Sequence, residues 1–261
     1  MIKFFRHIRK SLLMENKTSK YFKYAIGEII LVVIGILIAL QINNWNENRK
    51  SRIQEIKYLK NLKKDISLEL INNDSIIKYR AATARAAANM LSLKPLSTVD
   101  GLLELEFLIQ QVFQRVDFIP TNNTYKELLS SGNLNFITND SIKDYLLELD
   151  KEYVNIANIE YHMYREYEEY LYNTSVENSE IINLFNFQKT AKEGVLIYKE
   201  VSEIPFKKVI PQYNKLLTIK EFKNGLRLSV MNNVALKIKH SEITNDLLTL
   251  IELLEEDIKK N

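Results

Sequence analysis

Apolar residues along most of this chain recur every three or four positions, which is the period of an amphipathic α-helix. The longest such run lies between Trp45 and Leu93. Lys94-Pro95 ends it, because proline disfavours helical geometry in the residue before it. We predict one long helix over 45–93, with one gap at Asn73 and a stripe formed by Ile53, Ile56, Leu59, Leu62, Ile66, Leu70, Ile77, Ala81, Ala84, Ala88 and Leu91.

Capping and helix-breaking residues divide the rest of the chain into further helices. A polar turn is predicted over 173–179, and residues 180–213 have no clear period because Gly194, Pro205 and Pro211 interrupt them. The predicted helices run from a Ser97/Asp100 cap to about Arg115, from Thr121 or Thr124 to Ser130 with a stop at Gly132, from Asn139 or Asp140 to about Tyr170, and from about Leu216 to Ile258.

These stripes predict the fold class. Each needs an apolar partner, and an elongated antiparallel bundle of about four long helices is the simplest arrangement that provides one. The chain has only 6 glycines and 4 prolines in 261 residues, too few for the tight turns of an all-β protein. We therefore expect an all-α protein.

One segment, Tyr24 to Ile42, is too apolar for an ordinary amphipathic helix. It contains an unbroken apolar run over 29–40, and 19 helical residues at ~1.5 Å each match the ~30 Å hydrocarbon layer of a membrane. We predict a transmembrane helix over 24–42, with Tyr24 and Trp45 as interface anchors, that continues outward as the stalk helix over 45–93. A buried core helix seldom has such basic flanks, and a cleaved signal peptide would need a small-x-small site that Ala39-Leu40-Gln41 lacks.

The charge around this segment predicts its orientation. Residues 1–23 hold seven Lys or Arg residues against Glu15 alone, so the excess of positive charge lies before the span. The positive-inside rule then gives a cytoplasmic head over 1–23 and an extracytoplasmic helical domain over 43–261, which in a Gram-negative cell lies in the periplasm. The head is either a short amphipathic helix on the membrane surface or a disordered basic tail. The expected location is the bacterial inner membrane, crossed once.

Within the span, small residues and one acid are candidate association sites. Gly27, Gly35 and Ala39 lie at spacings of eight and four, the small-xxx-small pattern that lets two helix backbones approach. Glu28 is costly in a bilayer, so it is either an interhelical hydrogen-bonding group or a carboxylate that reaches the headgroups near the cytoplasmic edge.

Charge distribution also bears on the partners. The net charge of +3 comes from the basic head, and the remaining residues are slightly acidic. A nucleic-acid binder needs a basic face on its folded domain, so we expect a lipid bilayer and a protein partner or homo-oligomer, and no nucleic acid.

Catalysis and metal binding find little support in the residues. The chain has no cysteine and three histidines, of which His162 and Glu166 could share a helix face as two metal ligands. We expect this pair to belong to a solvated acidic face, because no matching ligands occur on other helices, and an ordinary helix stop explains Ser130-Ser131-Gly132. The tyrosines between Tyr153 and Tyr172 either form core or line a ligand groove. We predict no catalytic residue, no metal and no cofactor, and thus no enzyme.

Two stretches resemble a known family. YAIGEIILVVIGILIALQINNWNE (residues 24–47) and TYKELLSSGNLNFI (residues 124–137) are similar to recurrent stretches of an uncharacterised family of bacterial single-span membrane proteins, the domain-of-unknown-function family 6090. The resemblance implies a membrane address and a helical domain. It transfers no catalytic residue.

Two functions remain as hypotheses. The first is a membrane-anchored periplasmic interaction or scaffold module that belongs to a membrane complex or homo-oligomer. The alternative is a ligand-sensing periplasmic helical bundle that signals through a separate partner. The short head is too small for a signalling output domain, which favours the first hypothesis.

Overall fold

A computed structural model of the chain describes residues 18–180, 187–189, 196–198 and 206–260. The regular structure of the described residues is helical apart from a short antiparallel pairing of two strands, which confirms the predicted all-α class. In chain order the elements are helix α1 (Thr18–Ser92), α2 (Val99–Phe113), α3 (Asn123–Ser130), a 3-10 helix (Asn133–Phe136), α4 (Asp140–Glu166), a π-helical segment (Tyr167–Tyr172), α5 (Asn173–Asn178), strands β1 (Phe187–Lys189) and β2 (Leu196–Tyr198), α6 (Phe206–Leu216) and α7 (Lys220–Lys259).

The chain divides into two compact units, Met1–Tyr58 and Leu59–Asn261. In the first unit, the described residues are the N-terminal part of α1. Its large apolar side chains over residues 29–40 are between 46% and 63% exposed. This helix is long and apolar enough to cross a membrane, with a mean hydropathy of 2.6 over its most apolar window. The basic head before Thr18 lies outside the described residues.

Helix α1 runs from Thr18 to Ser92. Residues 36–94 contain no glycine and no proline. No residue of this range therefore interrupts the backbone hydrogen bonds of the helix. The helix ends at Ser92, two residues before the Lys94-Pro95 pair.

In the second unit, the buried face of α1 differs from the predicted stripe. Most buried positions from Leu59 to Met90 alternate at steps of three and four, with Ala84 and Ala86 buried in addition. The predicted Leu70, Ile77, Ala81, Ala88 and Leu91 are half-buried or exposed. The prediction failed there because four of the buried positions are polar, and an apolar pattern passes over them. The buried residues are Leu59, Leu62, Ile66, Glu69, Asn73, Ile76, Arg80, Thr83, Ala84, Ala86, Ala87 and Met90.

The short helices begin and end close to their predicted bounds. Thr98, and not Ser97, caps α2, since its hydroxyl accepts a hydrogen bond from the Gly101 amide at 3.1 Å. Asn122 precedes α3 in place of the predicted threonines. Gly132 stops this region as expected, with a φ of 69° in the left-handed region that glycine adopts without strain.

The predicted cap of α4 is confirmed and the turn that follows it is corrected. The Asn139 side chain accepts a hydrogen bond from the Ser141 amide at 3.1 Å. The predicted polar turn over 173–179 is wrong, because the chain is helical from Asn173 to Asn178. The hydroxyls of Ser175 and Ser179 donate to the carbonyls of Leu171 and Ser175, one turn earlier.

The C-terminal region forms two helices. Helix α6 runs through Pro211, which the sequence had predicted to interrupt the pattern. Helix α7 starts at Lys220 and not near Leu216, because the backbone turns at Thr218 and Ile219. Gly194 and Pro205 lie outside the described residues.

A hydrophobic core cluster of the second unit lies where α1, α2, α6 and α7 meet the π-helical segment. Truncating a buried leucine in such a core costs about 2–5 kcal/mol. Its buried members are Ala86, Ala87, Met90, Leu96, Leu102, Leu105, Leu108, Val112, Leu171, Val209, Tyr213, Leu216, Phe222 and Leu226.

Candidate ligand-binding cavity

The segment between α2 and α3, residues 114–122, has no regular structure and is called the connector below. Polar side chains of α1 satisfy its backbone. The Asn72 amide donates to the Ile119 carbonyl at 2.9 Å, and the Glu69 carboxylate accepts from the Thr121 amide at 2.6 Å. Because unpaired backbone groups are costly away from water, these side chains fix the path of the connector along α1.

Arg80 connects the connector to two further helices. Its side chain is only 6% exposed. It donates to the Val116 carbonyl at 3.0 Å, forms an ion pair with Glu160 of α4 and contacts the Asn233 amide oxygen of α7 at 3.4 Å. Its Nε atom has no hydrogen-bond partner among the described residues.

Glu160 is the counter-charge of Arg80. Its carboxylate also accepts the Phe118 amide of the connector, at 3.2 and 3.1 Å to the two oxygens. Burial raises the pKa of Glu160, and the attraction of Arg80 and these hydrogen bonds oppose that rise. The buried pair therefore holds α1, α4 and the connector together at one point.

A cavity of about 80 Å³ lies beside this ion pair and is partly open to solvent. Its walls come from α1, the end of α2, the connector, α4, the π-helical segment and α7. The lining residues are Tyr79, Arg80, Thr83, Val112, Phe113, Gln114, Arg115, Val116, Asp117, Glu160, Met163, Tyr164, Glu166, Tyr167, Leu171, Gly225, Leu228, Ser229, Asn232 and Asn233.

Aromatic rings form one side of the cavity. Tyr167 meets Phe113 edge to face, with ring centroids 5.2 Å apart, and lies near Tyr164 at 6.3 Å. Burial raises the pKa of Tyr167 to about 12, so its hydroxyl stays protonated near neutral pH. The guanidinium of Arg115 lies 4.1 Å from the centroid of the Tyr164 ring, a cation-π contact.

The floor of the cavity includes an irregular helix. The π-helical segment begins at Tyr167, and π-helical turns occur frequently at functional sites. Gly225 of α7 packs directly on it: a Cβ at this position would lie 2.7 Å from Leu171 Cδ2 and 2.9 Å from Tyr170 Cβ. Only glycine allows this close approach.

A second buried polar cluster lies elsewhere on α1. Asn73 donates to the His240 carbonyl at 2.7 Å and to the Thr244 hydroxyl at 2.9 Å, and its oxygen lies 2.6 Å from His240 Nδ1. The His240 ring packs against Phe118, with centroids 4.8 Å apart. Burial and the nearby Arg80 lower the pKa of His240 to about 4, so the neutral imidazole is the stable form.

The residues weighed in the sequence as metal ligands or as an active serine lie at the surface or at a helix end. His162 is 70% exposed and lies 3.3 Å from Glu166. In the part of the chain that the structure describes, no three potential ligands among His, Asp and Glu come together as a metal site. The hydroxyls of Ser130 and Ser131 both donate to the Glu127 carbonyl at the end of α3.

The tyrosines predicted as either core or groove divide between these roles. Tyr153 is buried in the core, whereas Tyr164 and Tyr167 line the cavity and Tyr161 is 65% exposed. Arg80 was missed. The sequence did contain a signal for it. Arg80 is a charged residue at one of the positions, spaced three and four residues apart, whose side chains are buried along α1.

The candidate association residues of the span lie on the exposed part of α1. A Cβ added at Gly27 or Gly35 would meet no atom within 4 Å, so both glycines leave open space on the helix surface. Ala39 is exposed, Glu28 is half-buried, and Trp45 is 65% exposed with Arg49 over its ring at 5.7 Å. The Tyr24 side chain lies outside the described residues. Association at these residues stays a prediction.

Comparison with protein-family models gives one match, described as a family of unknown function (DUF6090), over residues 28–201. This range covers most of the chain. The protein belongs to this family. The match includes the apolar stretch of α1, the connector and the α4 wall of the cavity, while the α7 wall lies beyond it. Neither curated proteins nor solved structures match the chain.

Proposed function

We propose that this member of the family is a membrane-anchored helical scaffold module. Residues 24–42 cross the bacterial inner membrane once, with the N-terminus in the cytoplasm. Residues 43–261 extend into the periplasm as an elongated antiparallel bundle of about four long helices. Lipid is then the first partner, and a protein completes the assembly.

A single observation carries the membrane anchor. The large apolar side chains of residues 29–40 are about half exposed or more, and the described residues cover none of that stretch. Leaving so many apolar side chains in water is unfavourable by roughly 25 cal/mol for each Å². A bilayer removes this cost without requiring any other protein.

The assembly surface that we propose lies on α4. Leu147, Val154 and Tyr161 are 49%, 59% and 65% exposed and recur at seven-residue intervals, the repeat of coiled-coil contacts. A second copy of this chain that presents the same stripe would cover all three side chains across a two-fold axis. We therefore commit to self-association as the interaction.

Disulfide crosslinking in native membranes tests this surface. The chain has no cysteine, so Val154→Cys introduces the only thiol, and mild oxidation should give a disulfide-linked dimer. Glu148→Cys, at an exposed position about 120° around the helix from Val154, is the matched control and should stay largely monomeric. Equal yields for the two variants, or a crosslink to a different protein alone, would contradict self-association through this stripe.

A ligand sensor that signals through a separate partner is the second candidate, and the cavity is the observation that favours it. A sensor must change its assembly when the cavity is filled. Ser229→Leu places a larger side chain on the cavity wall, and Ser241→Leu changes an exposed position on the same helix. Under the sensor hypothesis, the first substitution should alter the Val154→Cys crosslink several-fold and the second should not.

A further inference from the structure

The charged side chains on the wall of the cavity do not balance. Among the described residues that line it, the acidic ones are Asp117, Glu160 and Glu166, and the basic ones are Arg80 and Arg115. Glu160 forms an ion pair with Arg80, and the Asp117 carboxylate accepts from the Arg115 guanidinium at 2.9 Å. The negative charge of Glu166 is therefore left over, because no described basic residue of the wall neutralises it.

The contacts of Glu166 supply no fixed positive charge. The Asn232 side chain donates to its carboxylate at 2.6 Å, and His162 Nδ1 lies 3.3 Å away in an imidazole that is charged only when protonated. The Glu166 side chain is only 22% exposed, whereas that of His162 is 70% exposed. Because a carboxylate that is partly withdrawn from water is stabilised by an opposite charge, Glu166 favours a cation as the ligand.

The aromatic rings of the wall favour the same charge. The face of an aromatic ring is the negative part of its quadrupole, so it attracts ammonium and guanidinium groups. The chain already uses two of these rings in this way, since Arg115 lies 4.1 Å from the ring centroid of Tyr164 and Arg80 lies 5.3 Å from that of Tyr79. The described aromatic residues of the wall are Tyr79, Phe113, Tyr164 and Tyr167.

The volume of the cavity limits the ligand to a small group. At about 80 Å³ it is roughly half as large as the 150 Å³ cavity that admits a benzene molecule, so the part of a ligand that enters it has on the order of four heavy atoms. The cavity is partly open to solvent, so a short alkyl chain with one charged end can enter it without breaking the fold.

We propose that the cavity binds a small organic cation with an alkylammonium group. The ammonium donates to the Glu166 carboxylate, and the alkyl part packs against the rings of Phe113 and Tyr167. An anion would add to the excess negative charge of the wall, and a neutral molecule would leave Glu166 without a counter-charge. This inference names the ligand class for the second candidate function, ligand sensing, and rests on that function.

Methionine methyl NMR on the full chain in lipid nanodiscs tests the proposal. Met163 lines the cavity, whereas Met90 is 2% exposed in the core and Met231 is 65% exposed on the surface, so these methyl signals provide one reporter and two internal references. Met163→Leu assigns the reporter signal. The probes are three molecules of similar size at equal ionic strength: propylammonium (cation), propanol (neutral) and propionate (anion).

We expect propylammonium to shift the Met163 methyl signal saturably while the Met90 and Met231 signals stay in place. Propanol and propionate should bind at least about tenfold more weakly, because neither provides a counter-charge for Glu166. Ser229→Leu places a larger side chain on the wall and should abolish the response, and the exposed control Ser241→Leu should retain it.

A matched pair of substitutions tests the carboxylate itself. Glu166→Gln removes the charge and keeps the size of the side chain, so it should weaken propylammonium binding about tenfold. Glu169→Gln makes the same charge change at an exposed position nearby, where solvent screens the charge, and should leave the affinity within about twofold of the parent value. The Met90 signal reports whether each variant keeps the native core.

Three results would overturn the proposal. Binding of propanol or propionate as tight as that of propylammonium would show that the wall does not select a cation. A Met163 signal that none of the three molecules shifts would show that the cavity binds no ligand of this class. Equal propylammonium affinities in Glu166→Gln and Glu169→Gln would remove Glu166 as the counter-charge. Failure of ligand sensing is distinguishable, because propylammonium would then bind and leave the Val154→Cys crosslink unchanged.

Discussion

Two stretches of helix α1 differ in which kind of side chain they expose and which kind they bury. Over residues 29–40 the large side chains are apolar and 46% to 63% exposed. Over residues 59–90 the side chains at heptad positions are buried, and Glu69, Asn73, Arg80 and Thr83 among them are polar. One helix therefore presents apolar groups to its surroundings at one end and buries polar groups at the other.

The difference shows what each stretch needs. The polar groups of the second stretch are stable in the interior because each meets a defined partner, such as the Thr121 amide for Glu69 and Glu160 for Arg80. The apolar groups of the first stretch need only a nonpolar medium. Specific contacts stabilise the buried polar groups of the second unit, whereas a nonpolar medium is enough to stabilise the apolar part of the first.

Removal of Arg80 should have the largest effect on stability. Arg80→Met would leave the Glu160 carboxylate buried without its counter-charge, which costs about 3–5 kcal/mol. Arg85→Met changes an exposed residue of the same helix and should stay within about 0.5 kcal/mol of the parent protein. Chemical denaturation of the two variants measures both values, and a loss below about 1 kcal/mol for Arg80→Met would show that the ion pair is not buried.

Acid should weaken the second unit through His240. The pKa of His240 is lowered from its ordinary 6.5 to about 4 in the folded chain. Between these two pH values, His240 is protonated in the unfolded chain and neutral in the folded chain. Stability is therefore lost as the pH falls from 6.5 towards 4, by about 3 kcal/mol in total. Denaturation curves across this range measure the loss.

The groups around His240 require a difference measurement. Burial raises the pKa of Glu69 and Glu160, so the folded chain protonates them first and gains stability as the pH falls through their raised pKa values. The positive charge of Arg80 lies near His240 and opposes its protonation. Comparison with His240→Gln isolates the histidine. His162→Gln, at a 70% exposed position, is the control, and an equal pH slope in the parent and His240→Gln would contradict the assignment.

The close contact at Gly225 should give a smaller loss. In Gly225→Ala the new Cβ would lie 2.7 Å from Leu171 Cδ2, and overpacking of this kind costs about 1–3 kcal/mol. Gly101→Ala is the matched control, because its nearest neighbours lie at 3.4 and 3.6 Å, and it should be neutral or slightly stabilising. A Gly225→Ala protein as stable as the parent would show that α7 moves freely away from the π-helical segment.

Glu28 should give the smallest change. Hydrogen bonds between transmembrane helices contribute about 0.6–2 kcal/mol, so Glu28→Leu should weaken self-association in lipid vesicles by roughly threefold to thirtyfold without reducing insertion. Energy transfer between labelled copies measures the association, with Ile29→Leu as the control. Unchanged energy transfer would assign Glu28 to the membrane edge only.

The apolar pattern predicted the helices well and the cavity poorly. Asn139, Gly132 and Pro95 set helix ends through local chemistry, which a sequence displays directly. Arg80 and Glu160 are 80 residues apart and meet only in the folded chain. On its own, each polar residue resembles a solvated position, so the stripe of α1 was assigned to neighbouring apolar residues.

The connector was missed for the same reason. The sequence left the residues between Arg115 and Thr121 outside the predicted helices, but the order of residues 114–122 comes from Asn72, Glu69 and Arg80 of α1 and from Glu160. Loop composition does not reveal such partners. A polar residue at a heptad position of a long helix is the signal that could have located them.

Labelling of single cysteines in cells tests the central claim that the apolar stretch crosses a membrane and places the second unit outside the cytoplasm. The parent chain has no cysteine, so Ser241→Cys marks the second unit and Ser11→Cys marks the head. With a membrane-impermeant maleimide and a permeable outer membrane, Ser241→Cys should react in intact cells and Ser11→Cys only after lysis. The reverse pattern, or a Ser241→Cys protein that stays in the soluble fraction, would contradict the account.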